Sequence, residues 1–197
     1  MSKNLNKDLL YAIKLLKEGK IVVLPTDTIY GIHGSIKYPE TIERIYQLRK
    51  RDLDKPMVIV TSSIDDIKKL GLRLSKKIKQ FLDKIWPNPV SVVLECNDDK
   101  LFYLHRGTYT LAFRIPKNEL LLQILKVTGP LVSTSVNFQN EKSAETINKA
   151  KNYFGKKIDF YLDEGKIKAS PSTVLKIKNK KIEILRQGAF KVNLVDL

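Results

Sequence analysis

The sequence predicts one α/β domain, and three observations lead to this prediction. Short apolar runs of the length of buried strands alternate with segments whose apolar residues recur at helical spacing. The chain has 197 residues, of which 43% are hydrophobic and 29% charged, which is sufficient for one full core. No internal repeat, low-complexity segment or linker divides it. We therefore expect a single domain over residues 1–197.

The composition excludes several classes of protein. The longest apolar runs are far shorter than a membrane span, and charged residues interrupt the first 20 positions, unlike a signal peptide or an anchor. The single cysteine, Cys96, allows no internal disulfide and is expected to be a packed thiol. With two histidines in the chain, we predict no His/Cys metal site. We expect a soluble, cytoplasmic protein with no membrane partner.

The net charge of +15 suggests an anionic partner such as a nucleotide, a nucleic acid or an acidic surface. Lysine supplies 29 of the 36 cations and arginine 7, so a broad compositional bias towards lysine is the alternative explanation. The arginines are the more informative cations, because their planar forks bind carboxylate and phosphate in a way that lysine does not.

The first predicted elements are a helix over residues 6–19 and a buried strand over residues 21–24, which Pro25 ends. Thr26, Asp27 and Thr28 follow directly. At this end of a strand, open α/β sheets bind their ligands, so the two hydroxyls and the carboxylate are candidate binding groups. A simple turn is the alternative, since Pro, Thr and Asp are common turn formers.

A second helix begins at Pro39 and places Arg49 on its core-facing side. The run Arg49-Lys50-Arg51 at its end could complement the helix dipole or carry guanidinium groups into a cleft. We favour the cleft, because residues 55 and 56 lead directly into another apolar strand over residues 57–60.

The remaining segments continue the alternation of helices and strands. Further helices are predicted to begin at Ser62 or Ser63, at Ser75, at Asn118 and near Ile147. Further strands are predicted over residues 90–94, 101–104, 109–115, 131–132, 158–162, 174–177 and 182–185, the last two joined by a turn at Asn179-Lys180.

A second polar loop resembles the first in its arrangement. The strand that starts at Leu131 passes into the hydroxyls of residues 133–135 and the amide of Asn137, groups that suit the orientation of phosphate or carboxylate oxygens. Together with Arg114 on a strand, the two loops indicate one convergent polar site. Because Asn137 lies past the apolar pattern, we expect its replacement to reduce turnover and leave stability nearly unchanged.

Eight segments, taken in order, resemble the motifs of one family. They are Pro25-Thr26-Asp27-Thr28-Ile29-Tyr30-Gly31, Arg49-Lys50-Arg51, Lys55-Pro56-Met57, Trp86-Pro87-Asn88-Pro89-Val90, Arg114-Ile115-Pro116, Gly129-Pro130-Leu131-Val132-Ser133-Thr134-Ser135-Val136-Asn137, Pro171-Ser172-Thr173-Val174 and Leu185-Arg186-Gln187-Gly188. The chain thereby resembles the YrdC-like threonylcarbamoyl-AMP synthase family over roughly residues 9–188. The resemblance implies a single-domain α/β fold, a twisted mixed sheet with surrounding helices and an open basic cavity.

The chain departs from the family pattern at a few positions. The family usually has Lys-x-Arg where this chain has Arg49-Lys50-Arg51, so either Arg49 or Lys50 fills the position of the first cation. A small alanine is common where Val136 stands, and longer relatives often have a histidine where Val60 stands.

The resemblance also implies an activity. The family joins L-threonine, bicarbonate and ATP into threonylcarbamoyl-AMP with release of pyrophosphate, and the product serves the threonylcarbamoyladenosine modification of tRNA. ATP would be a substrate, with Mg²⁺ on its triphosphate. The implied partners are the downstream tRNA threonylcarbamoyl-transfer machinery and, as a further option, RNA itself.

The same resemblance assigns site residues. Those expected to act in catalysis are Arg49, Arg51, Ser135 and Asn137. Those expected to bind threonine are Thr28, Arg114, Ser133 and Ser172. Those expected to bind ATP are Lys55, Thr110, Ser143 and Arg186.

Two other functions remain open. A YrdC-like paralogue with another carbamoyl-transfer chemistry would keep the fold and the motifs. A non-catalytic RNA-binding module would explain the net charge, but the sequence contains no aromatic stacking motif or RNA-binding signature. No Ser-His-Asp or Cys-His set is apparent, and the synthase reaction requires none, because its substrates supply the nucleophiles.

Overall fold

A computed structural model describes residues 3–179 and 181–192, and these residues form nine strands and seven α-helices. The helices are α1 (Lys3–Lys17), α2 (Pro39–Arg49), α3 (Ile64–Lys69), α4 (Lys76–Ile85), α5 (Phe102–His105), α6 (Glu119–Thr128) and α7 (Ile147–Phe154). The strands are β1 (Val22–Leu24), β2 (Gly31–Ser35), β3 (Val58–Val60), β4 (Val90–Glu95), β5 (Thr110–Arg114), β6 (Leu131–Ser135), β7 (Phe160–Tyr161), β8 (Thr173–Lys178) and β9 (Lys181–Arg186).

The strands form a single mixed sheet in the order β7-β1-β2-β6-β3-β5-β4-β8-β9. The pairs β1 with β7, β3 with β5 and β4 with β8 are parallel, and the other five pairs are antiparallel. Helices pack against both faces of this sheet. The predicted α/β fold with a mixed sheet and surrounding helices is therefore confirmed.

The helices cover the two faces of the sheet to different extents. On one face, side chains such as Ile59 and Phe113 belong to the larger core, which includes apolar residues of α2 and α4. On the other face, Val60 and Leu131 pack in a separate cluster with α1 and α6. Ser133 follows Leu131 by two positions in β6, so its side chain points to the same face of the sheet. Unlike Leu131, it lines a cavity. The cavity therefore lies where the layer formed by α1 and α6 ends.

Most of the predicted helix starts are confirmed. Side chains of Ser63, Ser75 and Asn118 accept hydrogen bonds from backbone N–H groups in the first turns of α3, α4 and α6, as N-cap residues do. The first helix is an exception, because α1 already includes Lys3 and Asn6 lies inside it.

The prediction of a strand over residues 101–104 is wrong. The Asp98 side chain accepts a hydrogen bond from the N–H of Lys100 at 3.0 Å, which starts a short 3₁₀ turn that runs directly into α5. A short apolar run is compatible with either element, and the local cap decides in favour of the helix. The packed state predicted for Cys96 is confirmed, since this thiol is buried.

Strand β2 was not predicted, because two glycines interrupt its pattern. Gly34 is required by packing: a Cβ atom there would lie 2.6 Å from Cγ2 of Thr41 in α2.

The hairpin between β8 and β9 is confirmed. Asn179 of its turn has φ of 51°, and Lys180 lies outside the described residues. No helix within the described ranges is long and apolar enough to cross a membrane.

A fully buried histidine, His33, lies in β2. Its ring fits against Gly31, where a Cβ atom would come within 2.6 Å of the ring Cε1. Burial and, to a smaller extent, the charge of Arg114 lower the pKa of His33 to about 3, and the nearby Gly31 backbone acts in the opposite direction. The imidazole is therefore neutral at pH 7.

We expect the free energy of unfolding to decrease as the pH falls from about 6.5, the ordinary pKa of histidine, towards 3. In this interval the unfolded chain binds a proton at His33 that the folded protein excludes, so stability is lost at up to about 1.4 kcal/mol per pH unit. Denaturant titrations at several pH values measure this slope. The His33→Leu variant should show a smaller slope, and equal slopes in the two proteins would contradict the prediction.

Candidate active site

A cavity of about 330 Å³ opens on the part of the sheet face that α1 and α6 leave uncovered. Its walls come from the loop after β1, the segment between α2 and β3, the end of β6 and the residues after it, and the segment around β8 and β9. The predicted site residues that line it are Thr28, Arg51, Arg114, Ser133, Ser135, Asn137, Ser143, Ser172 and Arg186. The remaining three, Arg49, Lys55 and Thr110, do not.

The loop after β1 is both a turn and a part of the cavity wall. The Thr26 hydroxyl oxygen accepts hydrogen bonds from the N–H groups of Thr28 at 3.0 Å and Ile29 at 3.2 Å, and it donates to the Ile29 carbonyl at 2.7 Å. Thr26 thus fixes the turn. This places the Thr28 hydroxyl where it accepts a hydrogen bond from Nη1 of Arg114 at 3.2 Å.

Arg114 at the end of β5 is the most deeply buried arginine of the cavity wall, with 5% of its surface exposed. Its Nη2 lies 3.4 Å from Oδ1 of Asp27, and its buried Nε has no hydrogen-bond partner within the described residues. Burial lowers the pKa of Arg114, the charge of Asp27 raises it, and Arg186 lowers it. The guanidinium group is therefore fixed in place by Thr28 and Asp27, and its Nε is a buried donor without an acceptor among the described residues.

Arg49 lies behind the cavity wall and holds the second polar loop. Its Nε donates to the Asn137 carbonyl at 2.9 Å, and its Nη2 donates to Oδ1 of Asn137 and to Oγ of Ser135, each at 3.2 Å. Its Nη1 donates to the Thr134 hydroxyl. Burial and, secondarily, the charge of Arg51 lower the pKa of Arg49 to about 10. The guanidinium is thus largely saturated by residues 134–137.

The structure corrects the expectation for the stability of Asn137 variants. Asn137 is 5% exposed, and its Nδ2 donates to the carbonyls of Phe138 at 2.6 Å and Glu141 at 3.0 Å. Its Oδ1 accepts from Arg49. Asn137 is therefore both on the cavity wall and central to the fold of its loop, so its replacement affects stability as well.

Arg51 lies on the cavity wall, as the cleft interpretation of the cationic run predicts. Its Nε donates to the Lys55 carbonyl at 2.8 Å and its Nη2 to the Pro56 carbonyl at 3.0 Å. These bonds anchor one edge of the guanidinium and leave its Nη1 without a protein acceptor among the described residues. The Lys55 ammonium instead lies 2.5 Å from Oδ2 of Asp52, with 58% of its side chain exposed.

Three serine hydroxyls complete the wall, and each contacts another polar side chain. The Oγ of Ser133 lies 3.1 Å from Nε2 of His33, and the Oγ atoms of Ser91 and Ser172 are 3.0 Å apart. Arg186 donates from Nε and Nη2 to the Ser172 carbonyl at 3.2 and 2.9 Å. Burial lowers the pKa of Arg186.

Thr110 lies apart from this group. It is at the other end of β5 from Arg114, and its hydroxyl is 3.2 Å from that of Thr108. Two polar residues that line the cavity, Ser91 and Glu141, were not predicted from the sequence. Ser91 could have been noticed as a hydroxyl inside an apolar strand, whereas Glu141 carries no local signal. Thr134, one of the hydroxyls of the second polar loop, also lines the cavity.

The chain is similar to several known proteins. The sequence model of the Sua5/YciO/YrdC family, described as "Telomere recombination", matches residues 14–188. A Methanocaldococcus jannaschii protein provisionally named threonylcarbamoyl-AMP synthase is 29% identical over 180 residues, which is 91% of this chain and 84% of that protein. The threonylcarbamoyl-AMP synthase of Pyrococcus abyssi is 24% identical to this chain. The alignment covers 94% of this chain and 55% of that enzyme.

A solved structure shows the same fold. The crystal structure of Pyrococcus abyssi Sua5 complexed with L-threonine superposes with a TM-score of 0.84 at 25% sequence identity, covering 91% of this chain and 54% of that one. The chain thus spans about half the length of this relative. Because the family model covers nearly all of the chain, from residue 14 to residue 188, the chain belongs to the Sua5/YciO/YrdC family.

Proposed function

We propose that this chain synthesises threonylcarbamoyl-AMP from L-threonine, bicarbonate and ATP and releases pyrophosphate. The observation that carries the proposal is the group of three arginines, Arg51, Arg114 and Arg186, that lines one cavity together with six or more hydroxyl and amide side chains. Such a cavity suits a reaction that brings several anionic groups together. Membership of the family and relatives named as this synthase support the same activity.

Threonine would bind at the Arg114 end of the cavity. A carboxylate placed against the guanidinium would accept from the Nη N–H groups that the protein leaves over. The bond from Nη1 to Thr28 and the ion pair with Asp27 would keep the group oriented. The hydroxyls of Thr28, Ser133 and Ser172 would then contact the amine and hydroxyl of threonine. We propose these contacts by analogy with the family.

ATP would occupy the part of the cavity between Arg51 and Arg186. Arg51 has a free edge for phosphate or bicarbonate oxygens, because its other edge is fixed by two backbone carbonyls. Ser135, Asn137 and Ser143 line the same region. Lys55 would reach the triphosphate after separating from Asp52, and the role of Thr110 in ATP binding stays a prediction.

Magnesium is part of this proposal, carried by the triphosphate. Glu141 is the carboxylate on the cavity wall and is the side chain available to such an ion. The residues described by the structure contain no group of three or more His, Cys, Asp or Glu side chains placed to hold a metal. Most ligands of the magnesium ion would therefore come from the phosphates of ATP and from water, and few from the protein.

The reaction follows from the substrates themselves. The neutral threonine amine attacks the carbon of a carbon dioxide unit derived from bicarbonate, which forms a carbamate. The hydroxide that bicarbonate gives up takes the amine proton and leaves as water. A carbamate oxygen then attacks the α-phosphorus of ATP, the bond from that phosphorus to the bridging oxygen breaks, and pyrophosphate leaves. The protein supplies positioning and charge neutralisation. Arg49 contributes as a positioning residue, because its guanidinium holds Ser135 and Asn137.

The wider role of the chain is also proposed. A single domain over residues 9–188 agrees with the extent of the family match, and the product would pass in the cytoplasm to the machinery that modifies tRNA. Direct RNA contact remains a separate option, supported only by the net charge of +15. A paralogue with another carbamoyl-transfer chemistry would share the fold, and activity alone distinguishes it.

Pyrophosphate release from ATP should require both L-threonine and bicarbonate. L-Serine should replace threonine with a modest loss, because one methyl group is worth about 1–3 kcal/mol in discrimination. A coupled pyrophosphate assay, with mass spectrometry of the nucleotide product, measures both dependences. Release that is indifferent to threonine would contradict the proposed function and favour a paralogue, and no release at all would favour the RNA-binding module.

Replacing Arg51 tests whether its fork or only its charge is required. Arg51→Lys keeps the charge and loses the planar pair of donors, so synthesis at saturating ATP should fall by about 10²–10³, the usual cost of removing a positioned transition-state donor. Arg51→Ala should fall further. Arg73→Lys is the matched control, since Arg73 is exposed and outside the cavity. Near-normal activity of Arg51→Lys would contradict the need for the planar donors and would indicate that Arg51 only complements the dipole of α2.

Asn137→Ala should lower both turnover and stability. The change removes one acceptor of the buried Arg49 guanidinium, and an unsatisfied buried donor costs about 1–3 kcal/mol. Denaturant titration and steady-state synthesis measure the two effects. Thr128→Val is the control, because this buried hydroxyl donates to the Ile124 carbonyl in α6 and should affect stability alone. Unchanged stability of Asn137→Ala would contradict the role assigned to its contact with Arg49.

A further inference from the structure

His33 lies directly behind Ser133, and the two residues are cross-strand partners on β2 and β6. Ser133 is 9% exposed and lines the cavity, whereas His33 is completely buried. The distance from Oγ of Ser133 to Nε2 of His33 is 3.1 Å. His33 is therefore outside the reach of a ligand, and Ser133 is the group through which it can affect one.

The imidazole of His33 is neutral, because burial and the charge of Arg114 lower its pKa to about 3. One of its two nitrogens therefore carries a proton. Nδ1 has no hydrogen-bond partner within the described residues, and the contact of 3.1 Å between Nε2 and Oγ of Ser133 suits either direction of donation. The tautomer of His33 decides which of the two groups donates.

The direction of this hydrogen bond matters to a ligand. The guanidinium groups of Arg51, Arg114 and Arg186 on the cavity wall contribute donors only, and an amine substrate needs an acceptor for its own N–H groups. A freely rotating serine hydroxyl can act as donor or acceptor. When the imidazole proton is on Nδ1, the Ser133 hydroxyl donates to Nε2 and Oγ presents only lone pairs to the cavity.

We propose that His33 carries its proton on Nδ1 and is a positioning residue, which holds the Ser133 hydroxyl so that Oγ accepts a hydrogen bond from the amine of bound threonine. This inference rests on the proposed function and names a residue of the same site that the family motifs did not indicate. The competing explanation is purely structural, with Ser133 serving only to satisfy a buried imidazole. The two explanations differ in what happens to threonine affinity when both side chains are changed.

A double-mutant cycle separates them. His33→Leu and Ser133→Ala should each weaken L-threonine binding, measured by calorimetry, by about tenfold, the effect of one hydrogen bond. The double variant should bind no more weakly than Ser133→Ala, because His33 acts only through that hydroxyl. The KM for ATP should change little. Additive losses, or normal threonine affinity of folded His33→Leu, would overturn the proposal.

His105→Leu is the matched control for loss of a buried histidine. His105 is also completely buried, but its Nδ1 accepts from the N–H of Gly107 at 3.2 Å and it does not line the cavity. This variant should lose stability and keep the threonine affinity of the wild type. A loss of affinity equal to that of His33→Leu would show that general destabilisation is the cause and would overturn the proposal.

A measurement on the unmodified protein covers the case in which His33→Leu does not fold. Long-range ¹H–¹⁵N correlation spectra of the wild-type imidazole report the tautomer directly, and we expect a protonated Nδ1 and an unprotonated Nε2. The reverse tautomer would overturn the proposal. Wild-type synthesis is measured in parallel: an inactive wild type rejects the proposed function, whereas an active wild type with the reverse tautomer rejects the role of His33 alone.

Discussion

One face of the sheet is covered by helices at one end only. The side chains on this face must therefore change from apolar to polar along the strands. Where α1 and α6 pack, the strands contribute apolar side chains such as Val60 and Leu131, because burial against a helix favours them. Where the helices end, the same face carries Ser133 and Ser135, since side chains that face water or an anionic ligand need hydrogen-bonding groups. Arg114 lies level with Val60 in the sheet register, and its side chain lines the same cavity. The cavity, its polarity and its open side all follow from this single boundary.

The concentration of arginines in that cavity requires local compensation. Like charges raise each other's free energy, and a buried guanidinium must have its donors satisfied. Backbone carbonyls do much of this: those of Lys55 and Pro56 hold Arg51, and that of Ser172 holds Arg186. Carbonyl groups fix the side chains without cancelling their charge. The cavity therefore keeps a positive potential for anionic substrates, with Asp27 the carboxylate paired to Arg114.

Local patterns were sufficient for part of this structure. The strand over residues 21–24 and the turn that follows it could be predicted because an apolar run, Pro25 and three polar residues are adjacent in the chain. The caps of α3, α4 and α6 are equally local. In contrast, the contact between His33 and Ser133 depends on a strand register that joins residues 100 positions apart. The mistaken strand over residues 101–104 shows the limit of short apolar runs, whose period does not distinguish a strand from a helix.

The cationic run at the end of α2 illustrates the same limit within three residues. Its sequence could not determine which cation enters the cavity, because the C-cap Lys50 adopts a left-handed conformation with φ of 49° and redirects the chain. As a result, Arg49 points behind the wall, the Lys50 ammonium lies 5.4 Å from the centre of the Phe138 ring, and Arg51 reaches the cavity.

Arginine at the first of these positions also suits its location. The guanidinium of Arg49 uses three nitrogens to bind residues 134, 135 and 137, an arrangement that the single ammonium of lysine cannot reproduce. At residue 49 this chain therefore has a side chain that organises the second polar loop from behind. Of the three cations of the run, Arg51 is the one that lines the cavity, and its Nη1 has no protein acceptor among the described residues.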